Sequence, residues 1–333
     1  MINKLNTKRL KPEFIIKEIE KSYNLEFLER LKKIPKIKIY VFGGFIRDIL
    51  LGKKWKDLDI RILLNEDWDK REQSIENTLK KFVKIQEKLR FKQDKFTVYR
   101  FLPSKSSRKN SIDLTLAPTI RQAKSDFTIN NIFVDIVNGE IVDRHNGLDD
   151  LKNGRLRTVV NPKKQFVQEP WMLFRTIKFA CQFHLDVASE VYREMKNKAK
   201  ISRTQLEAIS SERKGLWIEV LLGNLFRGLN YDPYKYFEIF ADTGLMNVLL
   251  DFLGDKLKVE NLNFKKGKNI FSKNSKTSLE QNISTFLSFI TNYLDVKDKR
   301  KCFTEIIHLL AMDEPKEFGE IDVDITKIRY NQI

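Results

Sequence analysis

Cysteine and histidine are nearly absent from the chain: Cys181 and Cys302, and His145, His184 and His308, are all that 333 residues contain. The two cysteines are far apart in sequence and lack metal-ligand spacing, so neither a disulfide framework nor a zinc site is indicated, and a reducing compartment fits. The histidines are scattered, each reads as a surface or packing residue, and no nucleophilic triad stands out. Long apolar runs are missing as well. No stretch approaches a membrane span, and the opening MINKLNTKRLKPEF lacks the apolar core of a signal peptide, so the expectation is a cytosolic protein. Acidic charge is in deficit, with 45 Asp plus Glu against 62 Lys plus Arg, a net charge of +17. Such an excess points to a polyanionic partner such as nucleic acid. A compositional bias toward Lys, Ile and Asn gives the same excess without any partner, so the motifs must decide. No internal repeat is visible, and the length allows two or three domains.

What is there is concentrated between Val41 and Ile60, VFGGFIRDILLGKKWKDLDI. Ile37 to Phe42 is a β-branched and aromatic run that predicts a strand, and Gly43-Gly44 lets the backbone turn and approach a ligand closely. A helix from Phe45 to Leu51, stopped by Gly52, would aim free backbone N–H groups and a positive dipole end at an anion over the glycines. Arg47 adds a forked cation suited to phosphate oxygens. Asp57 and Asp59 follow in an alternating strand, so both carboxylates project to one face. Carboxylates so close repel unless a cation lies between them, and one or two Mg²⁺ ions held against nucleotide phosphates meet that need. Taken singly, the aspartates read as a solvated strand end and the glycines as a plain turn; the order strand, GG, helix with Arg47-Asp48, strand with Asp-x-Asp favours the phosphate and metal reading.

GGFIRDILLG followed by KDLDI resembles the head motif of the class II nucleotidyltransferases, the family that includes tRNA CCA-adding enzymes and bacterial poly(A) polymerases. The resemblance extends in order to about Leu250. It implies an α+β fold, a nucleotidyltransferase head with a mixed sheet followed by an all-helical neck, body and tail. It also implies metal-dependent transfer of a nucleoside monophosphate from ATP or CTP to an RNA 3′ end, with tRNA as the first candidate. In that pattern Asp57 and Asp59 hold Mg²⁺, Asp113 in SIDLTL is the third carboxylate, and Gly43, Gly44, Arg47 and Asp48 serve the nucleotide. Pro118 stands about where the family often has an arginine. Ala123 to Asn131, AKSDFTINN, is similar to the family's segment for ribose ordering, with Asp126 and Asn130 matching, Ser125 in place of an arginine and Lys124 as a substitute; a helix cap at Asp126 is the plainer reading.

Glu169 to Phe183, EPWMLFRTIKFACQF, predicts one apolar helix with Arg175 and Lys178 a turn apart. The family resemblance implies that its acid and first arginine read the base edge. Alignment on Arg175 and Phe179 puts Glu169 at the acid, Met172 at the missing arginine and Lys178 at the last basic position. A carboxylate accepts from the exocyclic amine of adenine or cytosine, whereas a thioether is a poor partner for the ring nitrogen, so base choice should weaken or be achieved differently. Ile209 to Arg213 resembles an element in which Glu212 and Arg213 brace the nucleotide helix.

The expected organisation is an N-terminal helical extension at 1–34, a head at 35–160, a helical neck and body at 161–250, and a helical tail at 251–333 after a lysine-rich linker. Within the head, Trp68 to Leu89 reads as a charged amphipathic helix, Lys95–Leu102 and Ser111–Leu116 as paired strands, and Asn138-Gly139 as a hairpin tip. CCA addition, whole or partial, is the leading functional reading; poly(A) addition and a non-catalytic RNA-binding relative are the alternatives.

Overall fold

In the computed structural model the chain divides into two compact units, Met1–Val159 and Val160–Ile333. The structure describes residues 5–23, 25–64, 67–91, 96–102, 111–120, 126–198, 227–246 and 277–293.

The first unit is built on a seven-stranded sheet. Its strands are β1 (Lys38–Phe42), β2 (Leu58–Leu63), β3 (Lys84–Phe91), β4 (Phe96–Leu102), β5 (Ile112–Ala117), β6 (Phe133–Asp135) and β7 (Ile141–Val142). They lie in the order β3-β4-β5-β2-β1-β6-β7. Among the described strands of this sheet, β2–β5 is the one parallel pair; its neighbours are antiparallel. Alternation along the central strands divides the sheet cleanly into two faces. Leu58, Ile60 and Ile62 of β2 align with Ile112, Leu114 and Leu116 of β5, and all six are buried. On this apolar side Phe27 meets Phe101 edge-on at 5.5 Å, bringing α2 (Glu26–Leu31) onto the sheet after α1 (Pro12–Glu20). The N-terminal apolar rhythm is thus carried by two short helices. The opposite face presents Asp59 and Arg61 from β2, Asp113 and Thr115 from β5, and Arg100 and Val98 from β4, in matching register.

One predicted helix is shorter than its pattern. α4 runs from Trp68 to Phe82, and Lys84 to Phe91 forms the edge strand instead of continuing the helix to Leu89. Pairing with β4 from Lys84 to Phe91, across a bulge between Ile85 and Glu87, satisfies the backbone that a longer helix would have satisfied. The Asn138-Gly139 hairpin forms, with a loop longer than a two-residue turn. Asp135 Oδ1 accepts from the backbone N–H of Val137, and Gly139, at φ +75°, donates its N–H to the Asp135 carbonyl.

The described part of the second unit is mainly helical, with one two-residue strand at Asp186–Val187: α6 (Pro162–Gln168), α7 (Met172–Phe183), α8 (Ser189–Lys198) and the segments Pro233–Asp242 and Leu279–Tyr293. Phe237 lies edge-on to Phe286 and Phe289 at centroid distances of 6.5 and 5.1 Å, and Phe174 and Phe240 are 6.1 Å apart. Each such buried ring contributes roughly 1.5–3 kcal/mol from its removal from water. The helix expected from Glu169 to Phe183 starts three residues late. α6 ends at Gln168, Glu169 leaves the helical region at φ −137° and ψ 72°, and α7 starts only at Met172. Pro170 is the cause, since a proline pushes the residue before it out of the helical region. Among the described residues no helix is long and apolar enough to cross a membrane.

Candidate active site

β1 ends in a backbone conformation reserved for glycine. Gly43 sits at φ +78°, and a Cβ there would come 2.6 Å from Asp59 Oδ2. The absent side chain therefore lets the turn close over the second aspartate. α3 (Gly44–Leu51) starts at once and is closed by Gly52 in the left-handed conformation, which helices favour just past their last turn.

Arg47, buried on the first turn of α3, is held on two sides. Its Nε donates to Asp48 Oδ1 at 2.8 Å, and its Nη1 donates to Asn130 Oδ1 at 2.7 Å. Asn130 Nδ2 in turn donates to Asp126 Oδ1 at 2.7 Å, which also accepts the Phe127 N–H at 2.8 Å. This chain of donors and acceptors fixes the amide of Asn130, because a flip would set N–H against N–H and oxygen against oxygen. Asp126 thus acts as the acceptor ordering the Thr128–Asn130 turn; Arg47, Asp48, Asn130 and Asp126 form one hydrogen-bonded chain, and Gly43 lies against Asp59. Burial raises the Asp48 carboxyl, against the charge of Arg47.

The carboxylates come from both central strands. Asp59 and Asp113 are register partners across the parallel pair, while Asp57, exposed, precedes β2 and accepts a long 3.5 Å contact from Ser111 Oγ. Asp59 is half-buried, and its pKa is raised to about 7, first by burial and then by the charges of Asp113 and Asp57. A hard divalent cation fits this donor set, since it would relieve the repulsion and prefers carboxylate oxygens. Among the described residues, however, no three His, Cys, Asp or Glu side chains are gathered tightly enough to hold a metal.

Several residues of the site carried no signal in the sequence. Arg61, two residues beyond Asp59 on the same face, is buried with its guanidinium 5.1 Å from the Phe42 ring centroid and 6.0 Å from that of Phe133. Burial lowers its pKa to about 10. Asp150, on α5 (Gly147–Lys152), is fully buried. It accepts from Thr128 Oγ1 at 2.6 Å and from Arg157 Nε at 2.9 Å, so it ties the Asp126–Asn130 turn to the segment around Arg157. Arg100 pairs with Asp113 through both carboxylate oxygens. Its place was hidden because it follows from the register of β4 on β5, which has no local signature in the sequence.

In the second unit, Arg175 lies over Trp171 and Phe179 at 5.5 and 5.0 Å from their centroids, and Lys178 Nζ is 4.7 Å from that of Phe179. Met172 is buried among the apolar residues of α7. Glu169 lies off that helix and accepts from Gln165 Nε2 at 2.7 Å. Lys124, Glu212 and Arg213 fall outside the described residues.

Residues 39–157 match the poly A polymerase head domain. The CCA-adding enzyme of Streptococcus sanguinis is 30% identical over 255 residues, covering 71% of this chain and 59% of that protein. The CCA-adding enzyme of Ligilactobacillus salivarius is 27% identical over 252 residues with the same coverages, 71% and 59%. The chain thus spans about three-fifths of the length of these curated relatives. Among solved structures, the Thermotoga maritima CCA-adding enzyme complexed with tRNA superimposes with a TM-score of 0.53 at 19% identity, covering 86% of this chain and 67% of that one. A CCA-adding enzyme complexed with ATP gives a TM-score of 0.52 at 20% identity, with coverages of 98% and 71%. These two share the fold.

Proposed function

We propose, from the premise that this chain belongs to the family of class II tRNA nucleotidyltransferases and bacterial poly(A) polymerases, that it adds nucleoside monophosphates from CTP and ATP to an RNA 3′ end without a nucleic-acid template. The first substrate is tRNA lacking all or part of its terminal CCA, and the site of action is the cytoplasm. The head would span 35–160, the neck and body 161–250 and the tail 251–333. The observation that carries the reading is the alignment of Asp59 with Asp113 beneath the Gly43 turn.

In the reaction the RNA 3′-oxygen bonds to the α-phosphorus, the bond to pyrophosphate breaks, and the hydroxyl proton leaves. Gly43 and Gly44 bring backbone close to the triphosphate at the start of α3, where N–H groups favour anions. Arg47, fixed by Asp48 and Asn130, lends positive charge to that turn. Asp57 and Asp59, with Asp113, are the residues that would hold Mg²⁺, which when bound neutralises charge on the phosphates and lowers the pKa of the attacking hydroxyl. The chain's own part is alignment and electrostatic preorganisation, and it needs no covalent nucleophile.

Glu169 off α7 and Met172 buried in its packing favour a second possibility, relaxed reading with A-only or poly(A) addition. One experiment separates these outcomes: each labelled nucleoside triphosphate is offered with Mg²⁺ to tRNA ending at the discriminator base and to unstructured RNA. Ordered C, C, then A on tRNA supports CCA addition, and A-only extension of either RNA supports the second reading. Incorporation by wild type but not by Asp57→Ala/Asp59→Ala is expected. RNA binding with no incorporation at all would replace the catalytic reading with a binding one.

A further inference from the structure

Asp113 faces the site with a partner already in place. Arg100, directly opposite across the antiparallel β4–β5 pair, donates from Nε to Oδ1 and from Nη2 to Oδ2, both at 2.8 Å. This is the two-pronged guanidinium–carboxylate geometry, stronger and more directional than a single ionic contact. The remaining terminal nitrogen, Nη1, lies 3.2 Å from Glu87 Oε2. Glu87, Arg100, Asp113 and Asp59 are thus successive register neighbours on one face of the sheet. Both oxygens of the third carboxylate are thus turned to N–H donors. The pair is half-exposed, with side-chain exposures of 48% for Arg100 and 27% for Asp113, so water and ions reach it and the fork can open without disturbing the core.

We propose that Arg100 is a positioning residue that gates Asp113. It is the resident counter-cation of the carboxylate cluster, and a divalent cation gains the third ligand only by displacing the guanidinium from it. The inference rests on the metal reading proposed above. A simple surface ion pair would contribute little and have no bearing on metal affinity beyond its charge, and that difference makes the two separable.

The test is Mn²⁺ titration of the full chain without nucleotide, followed by electron paramagnetic resonance, for wild type, Arg100→Gln, Asp113→Asn and the double variant. Arg100→Gln should tighten Mn²⁺ binding roughly five- to tenfold, and the gain should vanish in the Asp113→Asn background, as coupling through one shared group requires. Arg100→Lys keeps the charge and loses the fork, so its affinity should fall between wild type and Arg100→Gln; circular dichroism on each variant verifies the fold. Equal tightening with and without Asp113 would reduce Arg100 to a distant charge. Unchanged or weaker binding in Arg100→Gln, with nucleotide incorporation by wild type intact, would overturn the gate alone. No Mn²⁺ binding by any variant, together with no incorporation, would remove the metal reading and the gate with it.

Discussion

Gly43 and Asp59 depend on each other at the scale of single atoms. Alanine at position 43 would meet the Asp59 carboxylate at 2.6 Å while holding φ at +78° and ψ at −147°, a conformation that is unfavourable by about 1–3 kcal/mol for a residue with a Cβ. Gly43→Ala should therefore lower thermal stability modestly and nucleotide incorporation severely, because the relief available is to move Asp59; full activity with an unchanged melting temperature would contradict this. Asn130 makes a second atomic claim. Its oxygen faces Arg47 and its nitrogen faces Asp126, so Asn130→Asp should set two carboxylates together, raise the KM for nucleoside triphosphate and leave RNA affinity near wild type. Equal loss of both would mean the network serves the fold alone. The glycine pair, Arg47 and the Asp-x-Asp spacing were legible in the sequence because each needs only local chemistry. Arg100 and Arg61 were not, because their meaning comes from strands brought alongside by register.

Among the elements, α5 anchors the Asp126–Asn130 turn. Asp150 is buried and accepts from Thr128 and from the partly exposed Arg155 and Arg157, so Asp150→Ala would strip all three of their shared acceptor. Losing these charge-assisted hydrogen bonds costs about 1.5–3 kcal/mol, and chemical denaturation of the variant measures it; a change within error would show that water replaces the carboxylate. On the far side of the sheet, Glu76 of α4 is bonded to Lys80, Lys88 and Tyr99. These hydrogen bonds, Lys80 first and Lys88 next, lower its pKa from 4.5 to about 2. An acid depressed in the folded state stabilises it above the unfolded pKa, and the contribution disappears as pH falls through the folded one. The stability difference between wild type and Glu76→Gln should be present at pH 7 and shrink to nothing between pH 4.5 and 2, and on this solvated surface it should be under about 1 kcal/mol. A gap that persists at pH 2 would assign it to packing. The boundary between α4 and β3 was hard to read because charges crowd both halves of Trp68–Phe91, and β4 decides where helix gives way to strand. The break before α7 was legible in principle, since Pro170 alone produces it.

Over the whole molecule the chain carries a net charge of +17, and RNA affinity should fall by about 10²-fold or more between 50 and 200 mM salt if several phosphates are contacted. Filter binding across that range checks it, and a flat response would set the basic excess down to composition. The mixed head sheet and the helical character of the second unit were readable from the order of strand and helix patterns. How the sheet is threaded was not, since pairing between distant strands has no local signature. That threading bears on time as well as on shape. β2 and β5 are joined across about fifty residues of intervening chain, and closing so long a loop is entropically slower than forming the β3–β4 and β6–β7 hairpins. The aspartates are therefore brought together late in folding. Pulsed hydrogen exchange during refolding should find the hairpin amides protected first and those of β2 and β5 afterwards, so that a nascent head has most of its architecture before it has any capacity for chemistry.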